Sequence, residues 1–389
     1  MQIITTTDEL SQLCKRLGSH KYITVDTEFV REHTYWPRLC LVQIANRDEA
    51  AAIDPLAKNL SLDPLLEVMV NPNILKVFHS ARQDLEIFFH LSGSLPISVF
   101  DTQIAAMVCG FGDAASYETL VKRLAGENLD KASRFTDWIR RPLTERQLRY
   151  ALDDVIHLCT VYERLLENIE TTGRLSWVSE EMTAICNPSL YRLEPNDAWR
   201  RIKARSRNPR TLAILREIAA WREREAQNRN LPRKRIIRDE ALVEIAAHAP
   251  ATPEELEKVR SLNHRLAFSK DGSELLACVA VGITKTSESI SIIESNPRVP
   301  ASAAPIVELL KVLLKLCSSE QNVSQKMLAS TRELERIAMY GEVDTPALKG
   351  WRRTLFGEHA IALRSGQLSI MVGKNGLKLI PVDKGDFKK

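Results

Sequence analysis

The stretch Tyr22-Ile23-Thr24-Val25-Asp26-Thr27-Glu28-Phe29 decides how this chain is read. Its β-branched and aromatic residues mark a strand, and Ile23, Val25 and Phe29 mark it as a central one. Strand side chains alternate, so the carboxylates of Asp26 and Glu28 leave the same face about 7 Å apart along the chain. Two acids so placed repel each other, and a divalent cation offsets that most directly. A solvated strand end carrying two charges is the plain alternative, and this stretch alone does not decide between them.

Working outward, apolar runs recur at Leu39 to Ala45, Ala51 to Asp54, Leu75 to Phe78 and Ile97 to Phe100. The first three strands lie a few residues apart, which predicts an antiparallel meander. The last two flank a helical stretch, Ala81 to Leu91, which implies a crossover onto the same sheet. After Asp101 the pattern turns helical and ends in a long segment from Thr144 to about Ile169. The order βββαβα followed by helices predicts an α/β layer fold.

Beyond about residue 200 no run of strands is expected. Leu212, Leu215, Ile218 and Ala219 mark one helix face, and Leu242, Ile245 and Ala246 another. Thr252-Pro253-Glu254-Glu255 is a helix start, with a Thr cap, Pro in the first turn and Glu three residues on. An echo follows 78 residues later, where Ala329-Ser330-Thr331-Arg332-Glu333-Leu334-Glu335 parallels Ala251-Thr252-Pro253-Glu254-Glu255-Leu256-Glu257. Two related helical modules are expected, joined by the Ser-, Pro- and Ala-rich stretch Ser287 to Pro305.

Composition bounds the class. A chain of 389 residues is long enough for two or three domains, and 44% hydrophobic with 27% charged residues suits a core-forming protein. Seven scattered cysteines without a CxxC pair argue for a reducing compartment and against a zinc or disulfide framework. No apolar run reaches the ~18 residues of a membrane span, and the start lacks a basic and then apolar leader, so a cytoplasmic protein is expected. The net charge of +4 hides an asymmetry: Arg200 to Arg238 holds 14 Lys or Arg against three acids, a net of +11, leaving −7 for the rest. A basic block on an acidic protein is the pattern of a nucleic-acid contact surface.

Two more motifs carry candidate chemistry. In His79-Ser80-Ala81-Arg82-Gln83-Asp84, Ser80 reads as an N-cap, which puts Asp84 one turn into a helix at a strand's C-terminal end. In Tyr150-Ala151-Leu152-Asp153-Asp154, Tyr150 and Asp154 are four apart and share a helix face, whereas Asp153 points elsewhere. Taken singly, Asp84 is better explained by the helix dipole and the tyrosine by packing. Asp101 reads as an N-cap or scaffold residue, and His79 as either an active-site contact or a structural hydrogen bond at a strand end.

Together, Asp26-x-Glu28, the Asp84 of His-x-Ala-x-x-Asp and Tyr150-x-x-x-Asp154 resemble the DEDD superfamily of 3′-to-5′ exonucleases, in the subclass with tyrosine in the last motif. The resemblance covers roughly residues 1 to 170. Phe100-Asp101-Thr102-Gln103, Thr136-Asp137-Trp138 and Arg140-Arg141-Pro142-Leu143 resemble the ribonuclease D family in particular. Asn208-Pro209-Arg210, Trp221-Arg222 and Leu231-Pro232-Arg233 resemble the first of paired helicase-and-RNase-D C-terminal (HRDC) domains, and residues from about Ala303 to Leu368 more weakly resemble the second.

The resemblance implies an RNase H-like mixed-sheet exonuclease domain at 1–170, a connecting helical segment at 171–204, HRDC-like domains at 205–286 and 303–389, and a linker at 287–302. It implies two divalent metal ions, Mg²⁺ or Mn²⁺, held by Asp26, Glu28, Asp84 and Asp154, with Asp26 as the bridge and Tyr150 positioning the attacking water. Hard cations prefer such oxygen ligands, and two of them suit in-line phosphodiester hydrolysis. The implied product is a nucleoside 5′-monophosphate, the implied substrate the 3′ ends of tRNA precursors and other structured RNAs, and the implied state a monomer. Within the basic block, Trp199 and Trp221 could stack bases while arginines track phosphates. A 3′-5′ DNA exonuclease and a non-catalytic RNA-binding scaffold are the competing readings.

Overall fold

The computed structural model describes residues 2–129, 136–204, 206, 208–285, 299–374 and 376–382. Most of the expected linker, and Arg205 and Arg207 of the basic block, lie outside these residues.

The first unit is a six-stranded mixed sheet in the order β1-β4-β3-β2-β5-β6. β2 (Tyr22–Val30), β3 (Arg38–Ala45) and β4 (Ala50–Ile53) form the antiparallel meander, and β5 (Leu75–Phe78) and β6 (Val99–Asp101) add in parallel beside β2. Some elements were not anticipated. β1 (Gln2–Ile4) pairs in parallel with β4, and α1 (Thr7–Leu17) follows it. The helix had a legible start, because Thr6 and Glu9 form a reciprocal capping box.

The period of two in β2 sorts its side chains between two cores. Ile23 and Val25 join α1, α2 (Asp63–Met69) and α3 (Arg82–Ser92) through Leu10, Leu13, Leu65, Leu85 and Phe88. The opposite face meets the 27-residue helix α6 (Glu145–Thr171), where Leu41 and Ala45 of β3 pack near Ala151, Leu152, Val155 and Cys159. Asp26 and Glu28 belong to this second face. Burying β3 between the two layers accounts for its run of apolar residues, buried almost throughout.

α4 (Thr102–Val108), α5 (Tyr117–Leu120) and α6 complete the first unit, and α7 (Leu175–Ile185) follows it in the connecting segment. The first helical unit comprises α8 (Pro209–Asn228), α9 (Arg233–Ile236), α10 (Asp239–His248), α11 (Pro253–Glu257), α12 (His264–Ala267) and α13 (Lys270–Thr284). α13 lies so close on α8 that a Cβ at Gly282 would stand 2.5 Å from the Ile214 Cα. Tyr35 and Trp36, in the turn after β2, dock this unit onto the sheet. Their backbone N–H groups donate to Asn230 Oδ1 at 3.1 and 3.0 Å, and the Trp36 ring stacks on His90 at 4.3 Å.

A second helical unit runs through Ala304–Gln321, Gln325–Leu328, Thr331–Tyr340 and Gly350–Arg352, and ends with Glu358–Arg364. It shares a core with α4, α6 and α7. Arg174 ties the two by donating to Val108 O at 2.7 Å and Gln321 O at 2.6 Å, and Trp177 stacks on Trp351 at 4.8 Å.

Three expectations need correction here. First, a two-stranded hairpin, Leu368–Gly373 with Gly376–Pro381, follows the last helix where no strand was expected. Second, the 78-residue echo pairs non-equivalent helices. Thr252 caps the five-residue α11, whereas Ser330 caps the ten-residue Thr331–Tyr340. By order and length, helices of 20, 4 and 10 residues in the first unit face helices of 18, 4 and 10 in the second, so the counterpart of Thr331–Tyr340 is α10. Similar capping chemistry at two helix starts produced the false register. Third, Ser80 is not the cap of α3: its φ is +61°, and no side-chain oxygen of the preceding residue caps the helix.

Candidate active site

The sheet register explains how four acids reach one place. β2 pairs with β5 only through Tyr22, Ile23 and Thr24, so from Val25 onward that edge of β2 is open. The chain leaving β5 turns there into α3, and Asp84 in its first turn, only 6% exposed, comes alongside Asp26. Asp84 is fastened to the strand by the Thr27 hydroxyl, which donates to its Oδ1 at 2.5 Å. From the other face α6 delivers Asp154. Single carboxylate oxygens of Asp26, Glu28 and Asp154 lie within 4.8 Å of one another, the separation at which one cation can bridge them. Asp84 stands outside that trio but close enough to act on Asp26 and Glu28 electrostatically.

Their electrostatics follow from burial and crowding. Desolvation raises Asp26 to about 6. Glu28 is pushed up to about 9 by desolvation and by the charges of Asp26, Asp154 and Asp84. Asp84 is raised by burial and then by Asp26. A cluster that destabilises its own ionised form is suited to a cation, which replaces mutual repulsion by attraction. All four donors are carboxylates, the hard oxygen set that Mg²⁺ and Mn²⁺ prefer, so the residues present fit such ions.

Tyr150 lies one turn before Asp154 on α6, its hydroxyl hydrogen-bonded to the Asp154 carboxylate and its ring 6.2 Å from Trp138. Burial, Asp154 and Glu28 raise its pKa, so the hydroxyl stays protonated at neutral pH. The five residues anticipated from sequence therefore converge.

Several supporting residues were not anticipated. Thr27 is one. Tyr117 is another, donating to the Asp154 backbone carbonyl at 2.5 Å and facing His79 at 5.4 Å. His79 contacts Thr102 Oγ1 at 3.0 Å, as expected of a structural strand-end histidine, and burial lowers its pKa to about 4. Asp101 does more than cap α4. Its carboxylate accepts from the N–H groups of Gln103 and Ile104 at 2.8 and 3.4 Å and also from Ser80 and Ala81 at 3.0 and 2.8 Å, so it holds the start of α3 as well. That second role has no local signal, because it depends on β6 lying beside β5 in register Phe78 with Asp101.

The basic block divides on inspection. Trp221 is 4% exposed and its indole N–H donates to Glu274 at 2.7 Å, so it is core and unavailable for stacking on bases. Arg222 is buried against Asp239 at 2.6 Å, and Arg233 pairs with Glu223 at 2.6 Å beneath the Tyr35 ring. These arginines hold the helical unit together. Arg201, by contrast, is exposed, and with Arg31 and Arg82 of the first unit, Glu86 and the ion-paired Arg233 it lines a crevice of about 290 Å³ between the sheet and the first helical unit.

Comparison with known proteins agrees with this geometry. Residues 1–170 match the 3′-5′ exonuclease family and residues 211–279 the HRDC domain. Ribonuclease D of Nitrobacter hamburgensis is 49% identical over 374 residues, covering 96% of this chain and 98% of that one. Ribonuclease D of Gluconacetobacter diazotrophicus is 46% identical, covering 97% and 96%. Among solved structures, Escherichia coli RNase D, described as an exoribonuclease involved in structured RNA processing, superposes with a TM-score of 0.79 at 31% identity over 94% of this chain and 98% of its own. With its exonuclease fold, its acidic cluster and this likeness along nearly its whole length, the chain belongs to the ribonuclease D family and is a 3′-5′ exoribonuclease.

Proposed function

We propose that the enzyme trims the 3′ ends of tRNA precursors and other structured RNAs, releasing nucleoside 5′-monophosphates, with Asp26, Glu28, Asp84 and Asp154 holding two Mg²⁺ or Mn²⁺ ions. The observation that carries this reading is the carboxylate trio within 4.8 Å, with Asp84 recessed beside it. The ions would activate the attacking water and stabilise charge on the leaving 3′-oxygen. The chain's own residues do the rest. Asp26, one of the trio and close enough to act on Asp84, would be the ligand able to serve both ions. Tyr150, kept protonated by burial and by Asp154, orients the water through its hydroxyl and is not a free base. Thr27 and Tyr117 fix Asp84 and the backbone at Asp154.

The 3′-terminal nucleotide sits at the acids, so every other phosphate lies upstream of it and must cross the surface beside them. The arginine crevice supports that path. Arg82 opens the helix that carries Asp84, and Arg31 follows the last residue of β2, three residues after Glu28. Arg31 is held by Glu86 at 2.8 Å, while the exposed Arg82 and Arg201 make no ion pair among the described residues. We further assign the exonuclease unit to 1–170, HRDC-like units to 205–286 and 303–389, and a monomeric, cytoplasmic state. The repeated helix lengths support the second HRDC-like unit, and no described helix is long and apolar enough to cross a membrane.

The test is digestion of 3′-labelled tRNA precursor with Mg²⁺ or Mn²⁺. Labelled nucleoside 5′-monophosphate is expected, and Glu28→Gln or Asp154→Asn should slow its release at least ~10²-fold, the equivalent of about 3 kcal/mol of transition-state stabilisation. Release of nucleoside 3′-monophosphates, or wild-type rates in both variants, would refute the assignment.

A further inference from the structure

Gln43 lies in the middle of β3, fully buried, and neither its amide nitrogen nor its amide oxygen has a hydrogen-bond partner among the described residues. Leaving a buried polar group unpaired is costly, and folded proteins retain such groups chiefly where something further completes them.

Its position identifies what that is. Gln43 is the cross-strand partner of Asp26. Residues directly opposite on an antiparallel pair leave the sheet on the same face with Cβ atoms ~4.5–5.5 Å apart, and a glutamine side chain is long enough to bring its amide to the neighbouring carboxylate. α6 closes this face, since Leu41 and Ala45 on either side of Gln43 pack near Ala151, Leu152 and Val155. The amide is thus enclosed between Asp26 and the helix that carries Asp154. The hydroxyl of Thr24 on the same face of β2 is already engaged, at 2.8 Å from Val155 O and 3.2 Å from Ala45 O. Asp26 is the ionisable group that the strand register sets directly opposite the amide-bearing residue.

We propose that Gln43 is a positioning residue of the metal centre: its amide N–H donates to the Asp26 carboxylate when that group is engaged with a cation, and holds it in the binding orientation. The inference rests on Asp26 being a metal ligand. It explains why an uncharged polar group stands directly opposite an acid of the cluster. A fifth carboxylate would add repulsion, and an apolar side chain would leave the Asp26 oxygen turned away from the metal without a donor. Partners of this kind govern ligand orientation, and their removal weakens metal affinity by about 10–100-fold.

Gln43→Met keeps the volume and removes the amide. In the full-length protein, titration calorimetry with Mn²⁺ below the melting temperature should give a Kd raised about 10–100-fold. The metal-free Tm should stay the same or rise, because an unpaired buried amide has been removed. Unchanged Mn²⁺ affinity overturns the inference, as does weaker affinity accompanied by a lower metal-free Tm, which would mark general damage to the sheet. Asp26→Asn titrated in parallel separates the two levels. If it binds Mn²⁺ as the wild type does, the ligand assignment fails and this inference fails with it. A defective Asp26→Asn beside a wild-type-like Gln43→Met overturns this inference alone.

Discussion

Asp101→Asn perturbs the joint that places Asp84 without touching any acid of the cluster. The Asp101 carboxylate serves four backbone N–H groups: Oδ1 receives Ser80 at 3.0 Å, Gln103 at 2.8 Å and Ile104 at 3.4 Å, and Oδ2 receives Ala81 at 2.8 Å. An asparagine that keeps its oxygen at the Oδ1 position retains three of these and turns its NH₂ against the Ala81 N–H. The flipped amide would lose three, so the first arrangement wins. The net loss is one charge-assisted bond and an unpaired donor at the start of α3, about 1.5–3 kcal/mol. Burial already raises the Asp101 pKa, so replacing the charge relieves some desolvation and moves the expectation to about 2 kcal/mol. For a unit of this size that is a fall of roughly 4–8 °C in Tm, read by calorimetry on the metal-free protein. α3 should loosen at its first turn, so Mn²⁺ binding should weaken as well. A Tm within about 1 °C of wild type together with unchanged Mn²⁺ affinity would refute the claim that Asp101 secures Asp84.

Two further outcomes are expected. Glu28 has a folded pKa of about 9 against an ordinary 4.5, so the stability it gains as the protonated form is present below pH ~4.5 and lost as pH rises through 9. Without metal, Tm should fall between pH 7 and 9, and Glu28→Gln should flatten that fall, since His79, near 4, is already neutral there; an equal slope in both proteins would contradict the crowding. The pair Arg82→Ala with Arg201→Ala should raise KM on tRNA precursors and reduce the slope of log KM against log salt by about 1.4, two single-strand phosphate contacts, while dinucleotide cleavage is retained; an unaltered slope would remove the crevice from the RNA path.

What could be read in advance follows the range of each interaction. Alternation in β2 and the four-residue spacing of Tyr150 and Asp154 are local, and both faces were assigned correctly. Asp84 was placed in the first turn of α3 for the wrong local reason. The sequence suggested a Ser80 cap, whereas the helix start is held by Asp101, 20 and 21 residues away in sequence from Ala81 and Ser80, through strand adjacency. β1 escaped notice because its three residues gain meaning only beside β4, some 50 residues on. The C-terminal hairpin did carry a signal, since Asn375-Gly376 between two apolar runs favours a tight turn. In the basic block, charge was legible but partnership was not. Arg222 and Arg233 are indistinguishable in sequence from Arg201, yet Asp239, Glu223 and Tyr35 fix them as structural. Gln43 is apolar in its neighbours and ordinary in its spacing, and only the register with Asp26 gives it a role.

The proposed role of these acids is to bind divalent cations and so hydrolyse RNA from the 3′ end. Its most direct test combines Mn²⁺ calorimetry with cleavage of a 3′-labelled RNA, and of a DNA of matched sequence, by the wild type and by Asp26→Asn. The wild type is expected to bind Mn²⁺ and to release nucleoside 5′-monophosphates from the RNA in preference to the DNA, and Asp26→Asn to lose binding and cleavage together while remaining folded. Cleavage by Asp26→Asn at the wild-type rate, or wild-type cleavage undiminished by chelation of divalent metal, would contradict it.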